Sequence, residues 1–60
     1  MFIPVRDKKS GGREVLVNMD LVSTVLVSNE GFAVLLFGAK ETELYETLTP
    51  YEEVKKMLAV

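Results

Sequence analysis

Residues Phe32 to Phe37, FAVLLF, form an unbroken apolar run between Gly31 and Gly38. The run is short, bordered by turn residues and aromatic at both ends, which suits a β-strand better than a helix. Alternate side chains of a strand point to opposite faces. Phe32, Val34 and Leu36 therefore face one way and Ala33, Leu35 and Phe37 the other, and both faces are apolar. The preceding segment Leu21 to Val27, LVSTVLV, shares the property, with Val22 and Leu26 on one side and Leu21, Val25 and Val27 on the other. Any fold of this chain must cover both faces of two strands or leave one of them open.

Covering both is difficult for 60 residues. A domain of this size buries only about 60% of the surface its unfolded chain exposes. Disulfides, metals or oligomerisation commonly supply the missing stability. The chain has neither cysteine nor histidine. That excludes a disulfide framework and removes the preferred ligands of zinc, copper and nickel. No metal site and no cofactor are expected, which leaves oligomerisation or an efficient core.

The rest of the chain reads as four more elements and their turns. A short strand is expected over 2–6, where Pro4, lacking an N–H, asks for a sheet edge or a strand start. The loop DKKSGG follows, its paired glycines suited to positive φ in a hairpin. A second strand spans 13–18 with Val15 and Val17 on one face. Asn18-Met19-Asp20 marks a turn, since Asn and Asp side chains bond nearby backbone amides. The apolar strands occupy 21–28 and 32–37 and pair as a hairpin. A last strand covers 41–47, where Glu46 shares the parity of Leu44 and Leu48 and signals a bulge or an early end. A helix is expected over 50–59. Thr49-Pro50-Tyr51-Glu52 reads as a capping box with Pro at the first helical position. Tyr51, Val54, Met57 and Leu58 make one apolar stripe. The expected fold is a single domain over 1–60, mainly β (α+β): a strongly bent antiparallel meander of about five strands, or a small open barrel, with one C-terminal helix.

A helix of about ten residues covers part of one sheet face. An apolar face left open is an aggregation hazard. Most soluble oligomers are homo-oligomers, so self-association is the leading expectation, with a different protein partner as the alternative cover. The expected interface residues are Leu21, Val25, Val27, Ala33, Leu35 and Phe37.

The charges suggest a second class of function. The net charge is −2, but residues 1–14 carry +2 and residues 15–60 carry −4. Arg6, Lys8, Lys9 and Arg13 cluster around the Gly-Gly loop, and such a tip can contact phosphates or nucleic acid. No GKS or GKT pattern follows, so it is not a P-loop. A soluble hairpin tip is the simpler reading, since basic residues also blunt sheet edges. Glu41, Glu43 and Glu46 are the nearest approach to an acid–base or cation-binding group, but no third group converges on them, and no catalytic residue is nominated. An enzyme is not expected. The longest apolar run is six residues, against roughly 20 for a membrane helix. The opening MFIPVRDKK lacks a signal-peptide pattern. With no cysteine, a cytoplasmic setting is expected.

The order of elements also resembles a known group. Val17, Asn18 and Asp20, then Leu36 to Gly38, then Glu52, Glu53 and Val54 resemble the small bacterial FlbD-like proteins of flagellar and swarming accessory function. The likeness spans about residues 13–58. It departs at the long basic first loop and at Gly38-Ala39-Lys40. The resemblance implies a small non-enzymatic bacterial protein with an accessory or regulatory role, and it nominates no site residue.

Overall fold

A computed structural model describes residues 1–38 and 43–59. Its elements are β1 (Phe2–Asp7), β2 (Arg13–Asn18), a single 3-10 turn (Met19–Leu21), β3 (Val22–Val27), β4 (Phe32–Phe37), β5 (Leu44–Pro50) and α1 (Tyr51–Leu58). The strands form one antiparallel sheet in the order β2-β1-β5-β4-β3. The chain is thus mainly β with one C-terminal helix.

The strand order explains the shape. Hairpins join β1 to β2, β3 to β4 and β4 to β5. β2 and β3 lie at opposite ends of the sheet, yet only the three residues of the 3-10 turn link them. Three residues reach about 10 Å at most, so the two ends must approach and the sheet must curl. The result is an open barrel that is closed between its first and last strands and open in its middle.

The closure between β1 and β5 is narrow. Asp7 and Thr47 are the one registered pair. Beside it, the Arg6 amide donates to Thr49 Oγ1 at 2.8 Å and the Lys8 amide to the Glu46 carbonyl at 3.4 Å. Pro4 asks for a sheet edge or a strand start, whereas it is the third residue of β1, an inner strand. The rule survives locally: pairing with β5 is registered only at Asp7, so Pro4 faces no ladder on that side.

Directly paired residues share a face. Ile3 opposes Val17 and Val5 opposes Val15. Leu35 lies between Val25 and Tyr45. These inward faces and Val54 of α1 enclose the core of Ile3, Val5, Val17, Ala33, Leu35 and Val54. Tyr51, Met57 and Leu58, the rest of the helical stripe, are half-buried.

β1 runs one residue past expectation, β3 is one residue shorter at each end and α1 spans Tyr51–Leu58; two larger differences concern β5 and the helix cap. β5 runs over 44–50 rather than 41–47, and residues 41 and 42 lie outside the described residues. Its inward face is Tyr45, Thr47 and Thr49, with both threonines buried. A register shift against β4 between Phe32 and Val34 keeps the strand going past Glu46. The capping box does not form either. Thr49 stays within β5, its hydroxyl accepting from the Arg6 amide, while Pro50 both ends the strand and holds the cap position without a side-chain bond, and α1 begins at Tyr51. The Tyr51 amide donates instead to the Gly31 carbonyl at 2.9 Å. The buried Thr49 hydroxyl satisfies the Arg6 amide in a thinly bonded strand junction, while a helix N-terminus can find other acceptors.

Candidate functional site

β3 and its hairpin with β4 make the candidate interface. The turn before it forms because Asn18 Oδ1 accepts from the Asp20 amide at 3.1 Å. That turn takes Leu21, so β3 starts at Val22 rather than Leu21. The ladder with β4 shifts register between Val22 and Thr24. Ser23 at the shift donates through Oγ to the carbonyls of Gly38 (2.6 Å) and Leu36 (3.2 Å). From Thr24 to Val27 the ladder is regular. Val25 faces inward opposite Leu35, and Leu26 faces outward opposite Val34.

The six residues expected at the interface fall into three groups. Ala33 and Leu35 are completely buried within the chain and belong to the core, which corrects their assignment to an interface. The cause is the helix: α1 and the curled strand β1 cover the odd-numbered face of β4. Val25 and Phe37 pack half-buried against the same core. Leu21 and Val27 are the two that stand in solvent, 65% and 58% exposed.

Sequence reasoning passed over Leu26, 44% exposed, and the outward block it joins. Leu26 opposes Val34, and Leu36 lies between Thr24 and Leu44. Leu16 and Phe2 are exposed on the outward side of β1 and β2. One signal in the sequence could have set the parity. Ala33 is the one small side chain in FAVLLF, and a small residue marks the face on which another backbone approaches closely. Between β2, the 3-10 turn and the ends of β4 and β5 lies an open apolar hollow of about 330 Å³ lined by Val15, Leu16, Val17, Asn18, Leu21, Phe37 and Tyr45. A second apolar hollow, about 360 Å³, lies between β3 and α1, lined by Val25, Tyr51, Lys55, Leu58 and Ala59.

The basic loop is arranged differently from a phosphate site. Its amides serve the turn itself. Ser10 donates to Asp7 Oδ2 at 3.0 Å, Gly12 to the Asp7 carbonyl at 2.8 Å, Gly11 to the Lys8 carbonyl at 3.1 Å and Arg13 to Ser10 Oγ at 3.2 Å. Lys8 Nζ pairs with Glu46 Oε2 at 3.0 Å. Arg6 opposes Glu14 and Arg13 opposes Asp7, so the two arginines leave opposite faces of the hairpin. The structure therefore does not bring Arg6, Lys8, Lys9 and Arg13 together. Glu46 holds Lys8 above the usual lysine value, chiefly through their hydrogen bond.

Tyr45 and Asp7 form the most perturbed pair. Tyr45 Oη donates to Asp7 Oδ1 at 2.8 Å. Burial, then the bond to Asp7, pushes the phenol up to about 12. The same hydrogen bond, with help from Ser10, holds the Asp7 carboxyl below its ordinary range. A phenol this reluctant to ionise and a carboxylate this reluctant to protonate are poor proton carriers near neutrality; their chemistry is structural. Among the described residues no three acidic side chains gather as a metal site, Glu43 is exposed, and Glu41 lies outside the described residues. Among them also, no helix is long and apolar enough to cross a membrane.

Searches against protein-family models, curated proteins and solved structures found no match to this chain.

Proposed function

We propose that the protein is a small non-catalytic interaction module whose working form is an assembly of its own copies, held through the β3–β4 part of the sheet. The observation that carries this reading is the group of solvent-exposed apolar side chains at Leu26 and Val27 of β3, the strand at the end of the sheet order, and at Leu21 in the turn just before it. Exposed apolar side chains grouped on a strand edge are costly in water and mark association surfaces.

The titratable pairs add support for a non-catalytic role, since Asp7, Tyr45, Lys8 and Glu46 satisfy one another across the β1–β5 junction. The FlbD-like pattern accords with an accessory part, and the cysteine-free composition with a cytoplasmic setting. A nucleic-acid role through the first loop has less behind it, because the loop amides are engaged and its cations diverge.

Sedimentation or light scattering at micromolar concentration tests the proposal. The expected mass is a multiple of 6.7 kDa. A monomer across the concentration range, with no partner added, is the result that defeats it.

A further inference from the structure

We infer that the contact between copies is an edge-to-edge pairing of β3 with β3 of a second copy, antiparallel about a two-fold axis; this rests on the self-association reading above and names its geometry. β3 and β2 are the two ends of the sheet order, so among the described residues each has one edge with no strand beside it. They are protected differently. β2 begins with Arg13 and Glu14, whereas Val22 to Val27, VSTVLV, contains no charge and no proline. Charges and prolines are the usual means by which an edge strand is kept from pairing. An uncharged strand set against its own copy meets no like-charge repulsion, and a two-fold contact uses the same patch twice.

Two further features favour the edge over a stacking of outward sheet faces. The outward face beside Val34 carries Glu46, and Glu46 holds Lys8. Stacked faces would take that ion pair out of water, which is expensive, whereas edge pairing leaves it solvated. The second feature is the apolar hollow of about 360 Å³ next to β3, between Val25 and the helix residues Tyr51 and Leu58. A strand laid along β3 sets its own inward side chains, Val25 or Val27 of the second copy, above this hollow. The same strand covers Leu26 and Val27.

Because the chain has no cysteine, single substitutions give an unambiguous cross-linking test. Ser23→Cys, Thr24→Cys, Val25→Cys and Leu26→Cys are each oxidised mildly, with Leu36→Cys on β4 as the comparison. In an antiparallel self-pair one central residue faces its own copy at about 4.5–5.5 Å between Cα atoms, within disulfide range. Leu36 of an edge-paired dimer lies about three strand spacings, roughly 14 Å, from its copy and cannot couple. The expected result is a dimer in which at least one of the four edge variants couples efficiently and Leu36→Cys does not. Ser23, Thr24 and Leu26 are exposed, so these variants keep the fold, checked by circular dichroism. A dimer in which none of the four couples, or only Leu36→Cys does, overturns the edge contact and leaves self-association standing. A monomeric wild type defeats both.

Discussion

Tyr45 on β5 donates a hydrogen bond to Asp7 on β1 at 2.8 Å, at the place where the barrel is held by least backbone. Asp7 is also the residue that organises the first hairpin loop, accepting from the Ser10 amide through its side chain and from the Gly12 amide through its carbonyl. One carboxylate thus anchors a turn and, through Tyr45, the junction of the two hairpin systems. Hydrogen bonds to a charged group exceed neutral ones in strength.

Tyr45→Phe keeps the ring and removes the bond. The expected loss is about 1–2 kcal/mol, the net value of a hydrogen bond to a charged acceptor in a half-buried site. Urea unfolding checks it: the midpoint should fall with little change in slope. An unchanged midpoint means that the junction does not depend on this pair.

The same pair sets a pH dependence at both extremes. The Tyr45 phenol is raised from 10.0 to about 12, so the folded state holds this proton more tightly than the unfolded chain does. Its contribution is complete below 10 and is lost as pH rises through 12. Lys8, raised from 10.5, loses its part in the same alkaline region. Asp7 is lowered from 3.8, so its contribution is complete above that value and is lost as pH falls through the folded value. Melting temperature against pH should therefore be level between these windows and fall outside them. Tyr45→Phe should shrink both falls, while the Lys8 part of the alkaline fall remains. A variant profile that parallels the wild type at both ends would falsify the assignment.

Much of this fold was legible because local rules and tertiary packing agree. FAVLLF between glycines is a strand in the structure, Asn18 and Asp20 make the expected turn, and Val54 is the buried centre of the helical stripe. Three things were not legible. The pairing of β1 with β5 is a long-range choice that no local pattern announces. The capping box failed because the Thr49 hydroxyl had a better use against Arg6. The parity of β4, a strand apolar on both sides, is marked in the sequence by the small side chain of Ala33 alone, and Ala33 and Leu35 lie on the core face that α1 covers rather than at an interface. Where both faces of a strand look alike, the identity of the core face is decided by what packs on it.

Thr47 illustrates a polar group fixed by that packing. It is buried, its Oγ1 donates to the Ala33 carbonyl at 2.7 Å, and it accepts from the Thr49 amide at 3.2 Å. Thr47→Val preserves shape and leaves two buried backbone groups without this partner. A loss of about 1–3 kcal/mol is expected. The same change at exposed Thr24 should stay within about 0.5 kcal/mol. Denaturant melts of the two variants side by side test whether the difference comes from burial; equal effects would contradict it.

Leu35 and Leu26 separate folding from assembly. Leu35 is fully buried between Val25 and Tyr45, while Leu26 is 44% exposed on the terminal strand. Leu35→Ala opens a cavity in the core and should cost about 2–5 kcal/mol. The loss should appear at every protein concentration, because the contacts removed lie within one chain. Leu26→Ala removes little that the single chain buries, so its intrinsic cost should be below about 1 kcal/mol. If copies associate as proposed, its effect should instead appear as concentration dependence: association stabilises the folded form by mass action, so weakening the contact lowers the rise of melting temperature with concentration expected of the wild type. Melting curves over a hundredfold range of concentration distinguish the two. If Leu35→Ala flattened that rise and Leu26→Ala left it intact, the assignment of core and contact surfaces on the β3–β4 hairpin would have to be reversed.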